Sequence, residues 1–335
     1  MPTMKDVAKR AGVSIATVSA VLSGAAFVSP PLKVKVEEAI VALGYARNAM
    51  ASGLKRGHSQ LIGLVVPDIT NPFFTSFVDH VQKAADAAGY SVLLGLTDND
   101  SKREPASLNL MRSHQAAGTI LCPTGDAANY AQIGKSTGGM KLVLSDNATD
   151  QTDVDTVVMD NALAAELAAR HILSFGHSKI GVVAGPGYQY VASRRYNAFE
   201  QTLKLKSVTL EPSLVAHGGF RELEAHAAAR RLLMGPARPT AIFVANNLML
   251  IGVMRAIADL ALRVPEDVSV VCIDDFAWAA AFQPTLTVVR QPIAQMAGLA
   301  FARLLERIAG DTSKPHRQEL APELVIRQSC GRPRL

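Results

Sequence analysis

Apolar residues in the first 24 positions recur at the spacing of two short helices. Val7, Ala8 and Ala11 share one face of a helix predicted over residues 5–11, and a second helix is predicted over residues 15–22. Gly12 lies between them and can adopt a left-handed backbone, and Ser14 is placed to cap the second helix. This pattern predicts a helix-turn-helix, whose second helix enters the major groove of DNA. A plain helical hairpin is the alternative that these residues alone leave open.

The pattern continues into a third helix and then a polar segment. Ser29-Pro30-Pro31 predicts the start of the third helix, and Gly44-Tyr45 predicts its end. Its expected apolar side comprises Val34, Val36, Ile40, Val41 and Leu43. Residues 48–60 are short and polar with two glycines, which fits either a linker or a helix that forms only on DNA.

From residue 61 onward, short β-branched runs alternate with amphipathic helical stretches. The predicted strands are 61–67, 90–96, 118–123 and 141–145, then 179–185, 213–218, 240–246 and 268–274. The predicted helices are near 72–88, 102–116, 161–175, 188–205, 221–234 and 247–262. We therefore expect an α/β protein with an all-α head and two doubly wound parallel-sheet lobes. A cleft between two such lobes is a preferred site for a small ligand.

The positive charge is confined to the head. Residues 1–60 hold eight Lys and Arg against three Asp and Glu, a net charge of +5, and the whole chain also has +5. The remaining residues therefore sum to zero, which places the basic surface where DNA phosphates would be neutralised.

Other functional classes find little support in the sequence. Gly185-Pro186-Gly187 suggests a phosphate loop, but it lacks a third glycine and Pro186 removes a backbone donor. The histidines have no zinc spacing, no serine lies in a GxSxG motif, and Cys122, Cys272 and Cys330 have no metal spacing. We expect no catalytic residue, metal or cofactor. A sugar-binding protein of the periplasmic type would explain the lobes but not the basic head.

No run of about 20 apolar residues and no export signal is present, so we expect a cytoplasmic protein without membrane contact.

Several motifs resemble the lactose-repressor/purine-repressor family of bacterial transcription regulators. The matching stretches are TMKDVAKRAGVSIATVSAVLSG, FVSPPLKVKVEEAIVALGYARNAMASGLK, IGLVVPDITNPFF, DNALAAELAARHIL, GHSKIGVVAG, RPTAIFVANNLMLIG, RVPEDVSVVCIDD and FQPTLTVVRQP. The resemblance spans essentially all 335 residues. It implies a ligand-responsive DNA-binding protein, most simply a repressor, that crosses between its lobes more than once.

Candidate DNA contacts follow from helix geometry and from the resemblance. The exposed start of the second helix presents Ile15, Ala16, Thr17, Ser19 and Ala20. The resemblance implies base reading by Ile15, Ala16 and Ala20, which here are apolar and can pack only on thymine methyl groups. Ser14, Thr17 and Tyr45 are expected at phosphate or sugar, although Tyr45 also fits a cap on the head core.

In the polar segment, the resemblance makes Leu54, beside Lys55, a minor-groove wedge that kinks the operator. Two symmetric wedges imply a homodimer, with a tetramer left open.

Candidate ligand contacts come mainly from the resemblance. Arg195 matches a clamping arginine, Asp274 a carboxylate that accepts ligand protons, and Phe220 an aromatic wall. The other candidates are Phe73, Phe74, Gln189 and Asn246. Gln189 and Val191 differ from the arginine and threonine of purine-binding relatives, which favours a sugar or sugar acid over a nucleobase-type co-repressor.

The expected organisation has a DNA-binding domain at 1–47, a hinge at 48–60 and a ligand-binding, dimerising core at 61–335. One lobe comprises about 61–160 and 290–320, and the other about 161–289 and 321–330.

Overall fold

The computed structural model describes residues 2–24, 27–45, 59–148 and 152–334. The chain divides into two compact units, residues 1–59 and residues 60–335. No helix within the described ranges is long and apolar enough to cross a membrane.

The described residues of the first unit, 2–24 and 27–45, form three helices with a small core of their own. The helices are α1 (Met4–Ala11), α2 (Ile15–Ser23) and α3 (Pro30–Leu43). The core is formed by five buried side chains, Val7, Ala8, Val18, Val36 and Ala39. Thr3 and Asp6 form a capping box on α1. The Thr3 hydroxyl donates a hydrogen bond to the Asp6 carboxylate, and this bond lowers the pKa of Asp6.

The expected apolar side of the third helix is partly wrong. Val34 is 51% exposed and Val41 is 81% exposed, whereas Val36 is fully buried. The five apolar positions extend over more than one helix face, since only positions three or four apart lie above one another. Val36, Ile40 and Leu43 have that spacing, and these three pack against the head core.

The second unit contains two six-stranded sheets. The first sheet uses β1 (Leu61–Val66), β2 (Ser91–Leu96), β3 (Gly118–Leu121), β4 (Lys141–Ser145), β5 (Asp155–Met159) and β11 (Arg317–Leu320). Its order is β11-β5-β4-β3-β1-β2, and all neighbouring strands are parallel. Leu64 pairs with Leu94 on one side and Ile120 on the other. Four helices complete this lobe: α4 (Pro72–Ala87), α5 (Glu104–Ser113), α6 (Ile133–Ser136) and α11 (Ile293–Ile308).

The second sheet has the same layout with one antiparallel edge. It uses β6 (Ile180–Ala184), β7 (Val215–His217), β8 (Ala241–Val244), β9 (Ser269–Ile273), β10 (Thr287–Arg290) and β12 (Glu323–Val325). The order is β12-β10-β9-β8-β6-β7, and only β12 runs antiparallel to its neighbour. Its helices are α7 (Asn161–Ser174), α8 (Tyr190–Leu205), α9 (Glu222–Met234) and α10 (Asn247–Asp259).

The central strands of both sheets are buried along their length, as expected for parallel strands covered by helices on both faces. The chain passes between the lobes after β5, after β10 and after β11, counting the described residues. Six of the elements named above were not predicted from the sequence: β5, β10, β11, β12, α6 and α11.

Candidate functional site

The head presents an exposed α2 start, built by a tight turn. Gly12 has a φ of 66°, in the left-handed region, and ends α1. Ser14 caps α2, because its Oγ accepts a 3.0 Å hydrogen bond from the backbone N–H of Thr17. The Ser14 and Thr17 hydroxyls lie 2.8 Å apart. The turn therefore holds both hydroxyls at the same helix end, next to Ile15.

The predicted DNA contacts differ in accessibility. Ile15 is 45% exposed, and Ser14 and Ala16 are also exposed, whereas Thr17, Ser19 and Ala20 are half-buried. Tyr45 is half-buried and packs against the head core, so part of its ring serves as the cap considered above. Leu54 and Lys55 lie outside the described residues. The DNA roles of all these residues remain predictions.

The cleft between the two lobes brings together the seven predicted ligand contacts, which are Phe73, Phe74, Gln189, Arg195, Phe220, Asn246 and Asp274. The space that water molecules can occupy inside it measures about 40 Å³, roughly three waters. A larger ligand therefore requires the lining side chains, or the lobes themselves, to move apart.

Two carboxylates enter this cleft from equivalent places in the two lobes. Asp146 directly follows β4 and has a φ of 62°, and Asp274 directly follows β9 and has a φ of 81°. Left-handed backbone at a non-glycine residue is uncommon and concentrates at functional sites. The carboxyl ends of parallel strands are also where open α/β sheets bind ligands.

Arg195 is the cation that faces these carboxylates. It is buried, and its guanidinium is oriented by Nε donating to Asn161 Oδ1 at 2.8 Å and Nη1 donating to the Ala245 carbonyl at 2.6 Å. Burial raises the pKa of Asp146 to about 6, with Arg195 opposing the shift and the charge of Asp274 adding to it. These three groups therefore influence one another electrostatically, and Asp146 becomes protonated in mildly acidic solution.

Asp274 is held by a neighbour that the sequence did not single out. Gln291 Nε2 donates a 2.5 Å hydrogen bond to Asp274 Oδ1, and both side chains are buried. Gln291 lies just after β10, where the chain passes from the second lobe to the first.

Aromatic rings form the apolar part of the cleft. Phe73 and Phe74 meet edge to face with ring centres 4.9 Å apart, and both are buried in the lobe core as well as lining the cleft. Phe220 has a φ of 58° and lies against Gly185. A Cβ at Gly185 would overlap the Phe220 ring. This glycine therefore makes room for an aromatic side chain, which explains it without a phosphate loop.

Hydrogen bonds join the lobes across the cleft. Gln189 Nε2 donates to the Thr124 carbonyl at 3.2 Å, and the Val191 backbone N–H donates to Asn147 Oδ1 at 3.0 Å. Asn247 Nδ2 donates to Asn71 Oδ1 at 3.0 Å. Each pair combines one residue from each lobe, so these bonds belong to the closed arrangement.

Comparisons with known proteins agree with this architecture. The family description "Bacterial regulatory proteins, lacI family" matches residues 3–48, and "Periplasmic binding protein-like domain" matches residues 169–330. The chain is 32% identical over 332 residues to the HTH-type transcriptional repressor PurR of Pectobacterium carotovorum subsp. carotovorum strain PC1, covering 99% of this chain and 97% of that protein. The chain belongs to the LacI family.

Two further comparisons extend the match over the whole length. The ribose operon repressor of Escherichia coli strain K12 is 32% identical over 330 residues, covering 98% of this chain and 100% of that protein. The structure of the lac repressor dimer bound to operator and the anti-inducer ONPF superposes with a TM-score of 0.84 at 26% identity, covering 98% of each chain. The predicted family, fold class and DNA-binding regulatory function are confirmed.

Within this LacI-family cleft, sequence reasoning missed several lining side chains: Asn71, Thr124, Asp146, Asn147 and Gln291. Asp146 carried a usable signal, because it directly follows the predicted strand 141–145, much as Asp274 ends the predicted strand 268–274. Asn246 was predicted to contact the ligand. Its Oδ1 accepts a 3.0 Å hydrogen bond from the Met249 N–H, so this oxygen caps α10.

Proposed function

We propose that this LacI-family regulator is a dimeric repressor whose affinity for operator DNA is set by a neutral sugar bound between the lobes. The observation that carries the proposal is the cleft of Asp146, Asp274 and Arg195 beside phenylalanine rings. Carboxylates accept hydrogen bonds from ligand hydroxyls, a guanidinium donates to them, and an aromatic ring covers the apolar face of a pyranose or furanose.

Charge favours a neutral sugar over a sugar acid. The cleft lining contains the carboxylates of Asp68, Asp146 and Asp274 but only one cation, Arg195, among the residues that the structure describes. Two of the Arg195 donors are already engaged by protein oxygens. A ligand carboxylate would therefore enter a site with excess negative charge, which is costly in a desolvated cleft.

The relatives do not choose the effector, since PurR and the ribose operon repressor are equally similar to this chain. Gln189 supplies the further argument. Its amide donates to the Thr124 carbonyl in the other lobe. Purine-binding relatives are expected to have an arginine at the position of Gln189. This leaves the two carboxylates as the principal polar groups for an effector.

The coupling to DNA follows from lobe closure. Because the closed cleft has little free space, an effector changes the separation of the lobes and hence the position of the first lobe that follows the hinge. Operator and effector must then alter each other's affinity by the same factor. The basic head supplies phosphate contacts, and two heads in a dimer fit a roughly palindromic operator. Such a protein acts in the cytoplasm, where operator DNA is accessible.

The test combines ligand screening with DNA binding. Thermal shifts of the full chain are measured against neutral sugars, sugar acids and nucleobases, because a ligand that binds only the native state raises the melting temperature. Fluorescence anisotropy then measures operator affinity with and without the best ligand. We expect a neutral sugar to stabilise the protein and change operator affinity, and to be recovered chemically unchanged.

Asp274→Asn should weaken this binding, while Asp79→Asn, on the exposed surface of α4, should not. A nucleobase or sugar acid as the best ligand would overturn the effector assignment. Chemical turnover of the ligand would overturn the regulatory function. So would a failure to bind DNA at every salt concentration tested.

A further inference from the structure

A second cavity lies in the first lobe, apart from the effector cleft. It opens between α5 and residues 129–140 and measures about 370 Å³, within the size range of small-molecule sites. Its apolar wall is formed by four side chains, Pro105, Leu108, Ile133 and Met140. The two lining sets share no residue.

The inner end of this cavity is closed by a buried polar cluster. Glu104 and Tyr130 are 5% and 2% exposed. Tyr130 Oη donates to Glu104 at 2.8–2.9 Å, and Glu104 Oε1 also accepts from the backbone N–H and the hydroxyl of Thr124, both at 2.7 Å. The Gly125 N–H donates to Tyr130 Oη at 2.6 Å. Burial raises the pKa of Glu104, and these hydrogen bonds oppose the rise.

The mouth of the cavity carries a positive charge. Arg112 is exposed and donates from Nη2 to Asn109 Oδ1 at 2.9 Å. Its Nη1 reaches the turn after α6, where a Cβ built on Gly138 would lie 3.1 Å away. Among the described residues, no carboxylate lies within ion-pair distance of Arg112. The guanidinium thus lies at the mouth of a cavity that has an apolar wall, and it has no anionic partner among those residues.

We propose that this cavity binds a small carboxylic acid with an apolar body, whose carboxylate pairs with Arg112 and whose body packs on Leu108, Ile133 and Met140. A guanidinium matches a carboxylate through two parallel hydrogen bonds. The apolar wall supplies affinity that a hydrophilic anion would not gain.

Thr124 connects this second site to the effector cleft. Its N–H and hydroxyl bind Glu104 at the inner end of the cavity, while its carbonyl accepts the cross-lobe hydrogen bond from Gln189. A ligand that shifts Tyr130 or Glu104 therefore acts on a segment that takes part in lobe closure. The acid should alter effector affinity, and the effector should alter acid affinity by the same factor.

Benzoate is a suitable probe because it joins a planar carboxylate to a rigid apolar ring. Binding to the full-length protein, without effector or DNA, is measured by calorimetry and by thermal shift. We expect benzoate at millimolar concentration to bind one site per subunit and raise the melting temperature. Arg112→Gln should weaken binding about two- to fivefold, the loss expected for a charge pair at an exposed site. Leu108→Trp, which fills the cavity, should abolish it.

Arg103→Gln is the matched control, since Arg103 is exposed on the same lobe and paired with Asp98. It should leave benzoate binding unchanged. Tyr130→Phe keeps the ring and removes the hydroxyl, so benzoate should still bind but its effect on effector affinity should decrease. The proposal is overturned if benzoate does not bind, or if Arg112→Gln binds it like the wild type. Arg112 is exposed, so its variant decides the matter even if Leu108→Trp fails to fold. The benzoate-binding result, measured without effector, does not depend on which effector occupies the cleft.

Discussion

Gly185→Ala isolates the contact that shapes the aromatic side of the cleft. A Cβ at this position would overlap the Phe220 ring, whereas a Cβ at Gly187 would have no heavy atom within 4 Å. Neither glycine has a left-handed φ, so backbone strain does not distinguish them. The two substitutions therefore differ in one respect, the space available to a single methyl group.

The overlap sets the expected size of the effect. Inserting a methyl group into a filled site costs about 1–3 kcal/mol, because side chains are forced from their rotamers. For a domain of this size, each kcal/mol corresponds to about 2–4 °C in melting temperature, so Gly185→Ala should lower it by roughly 2–12 °C. Gly187→Ala should leave stability unchanged, or raise it by less than about 1 kcal/mol through lower entropy of the unfolded chain.

A double-mutant cycle tests the cause. Phe220→Leu replaces the ring that the new methyl group meets with a smaller side chain. Gly185→Ala should therefore lower the free energy of unfolding much less in that background. Denaturant unfolding gives the four free energies, and calorimetry with the effector gives the four affinities. Equal stability of the Gly185 and Gly187 variants, or an undiminished cost of Gly185→Ala in the Phe220→Leu background, would refute this reasoning.

Three other predictions concern the remaining parts of the mechanism. Since the pKa of Asp146 is about 6, its carboxylate accepts ligand hydroxyls above that pH and is lost as an acceptor below it. Effector affinity should fall about tenfold from neutral solution to about pH 5, and a flat calorimetric profile for the wild type, or a sloping one for Asp146→Asn, would contradict this. Ser14→Ala removes the α2 cap and should lower the local stability of α2 by about 1 kcal/mol, seen as faster amide exchange; Ser29→Ala, which loses no cap hydrogen bond, is the control. Leu54→Ala should weaken specific operator binding by a few kcal/mol at most and leave non-specific binding intact, whereas unchanged operator affinity or a melting temperature lowered by several degrees would remove the wedge role.

The fold was predictable where the local sequence pattern of a segment identifies it as a helix or a strand. Strands such as β1 (LIGLVV), β6 (IGVVA) and β9 (SVVCI) are short, mainly apolar runs rich in Val and Ile, and their burial follows from helices on both faces. By contrast, β11 reads RQEL and β12 reads ELV. These segments become strands because they pair with a sheet edge. Such a tertiary contact produces no recognisable alternation of apolar and polar residues in a segment of three or four residues.

One missed element did carry a local signal. Met296, Ala297, Ala300 and Leu304 are buried on one face of α11, at the spacing of an amphipathic helix. β5 is harder to predict, since its five residues are followed at once by the Asp160 cap of α7.

The site divides in a similar way. Arg195, Phe220 and Asp274 were found through family motifs, and the structure places them in one cleft. Thr124 and Gln291 could not be predicted in that way, because their place in the cleft comes from hydrogen bonds with residues 65 and 17 positions away in the chain. Such contacts are fixed by how the chain passes between lobes, which no local pattern specifies.

The cross-lobe contacts also bear on how the proposed effector would control this protein. Gln189 to Thr124, Val191 to Asn147 and Asn247 to Asn71 are three hydrogen bonds that opening would break. Each contributes about 1 kcal/mol net, since water replaces the lost partner, so together they favour closure by about 3 kcal/mol. An effector that gains two or three hydrogen bonds in only one arrangement supplies a comparable free energy. Allosteric coupling of about 1–3 kcal/mol is the usual range, and larger cross-lobe stabilisation would hold the lobes in one state whatever the ligand. With few hydrogen bonds across the cleft, the open and closed arrangements of the lobes stay close in free energy. One bound molecule is therefore enough to shift the equilibrium between them.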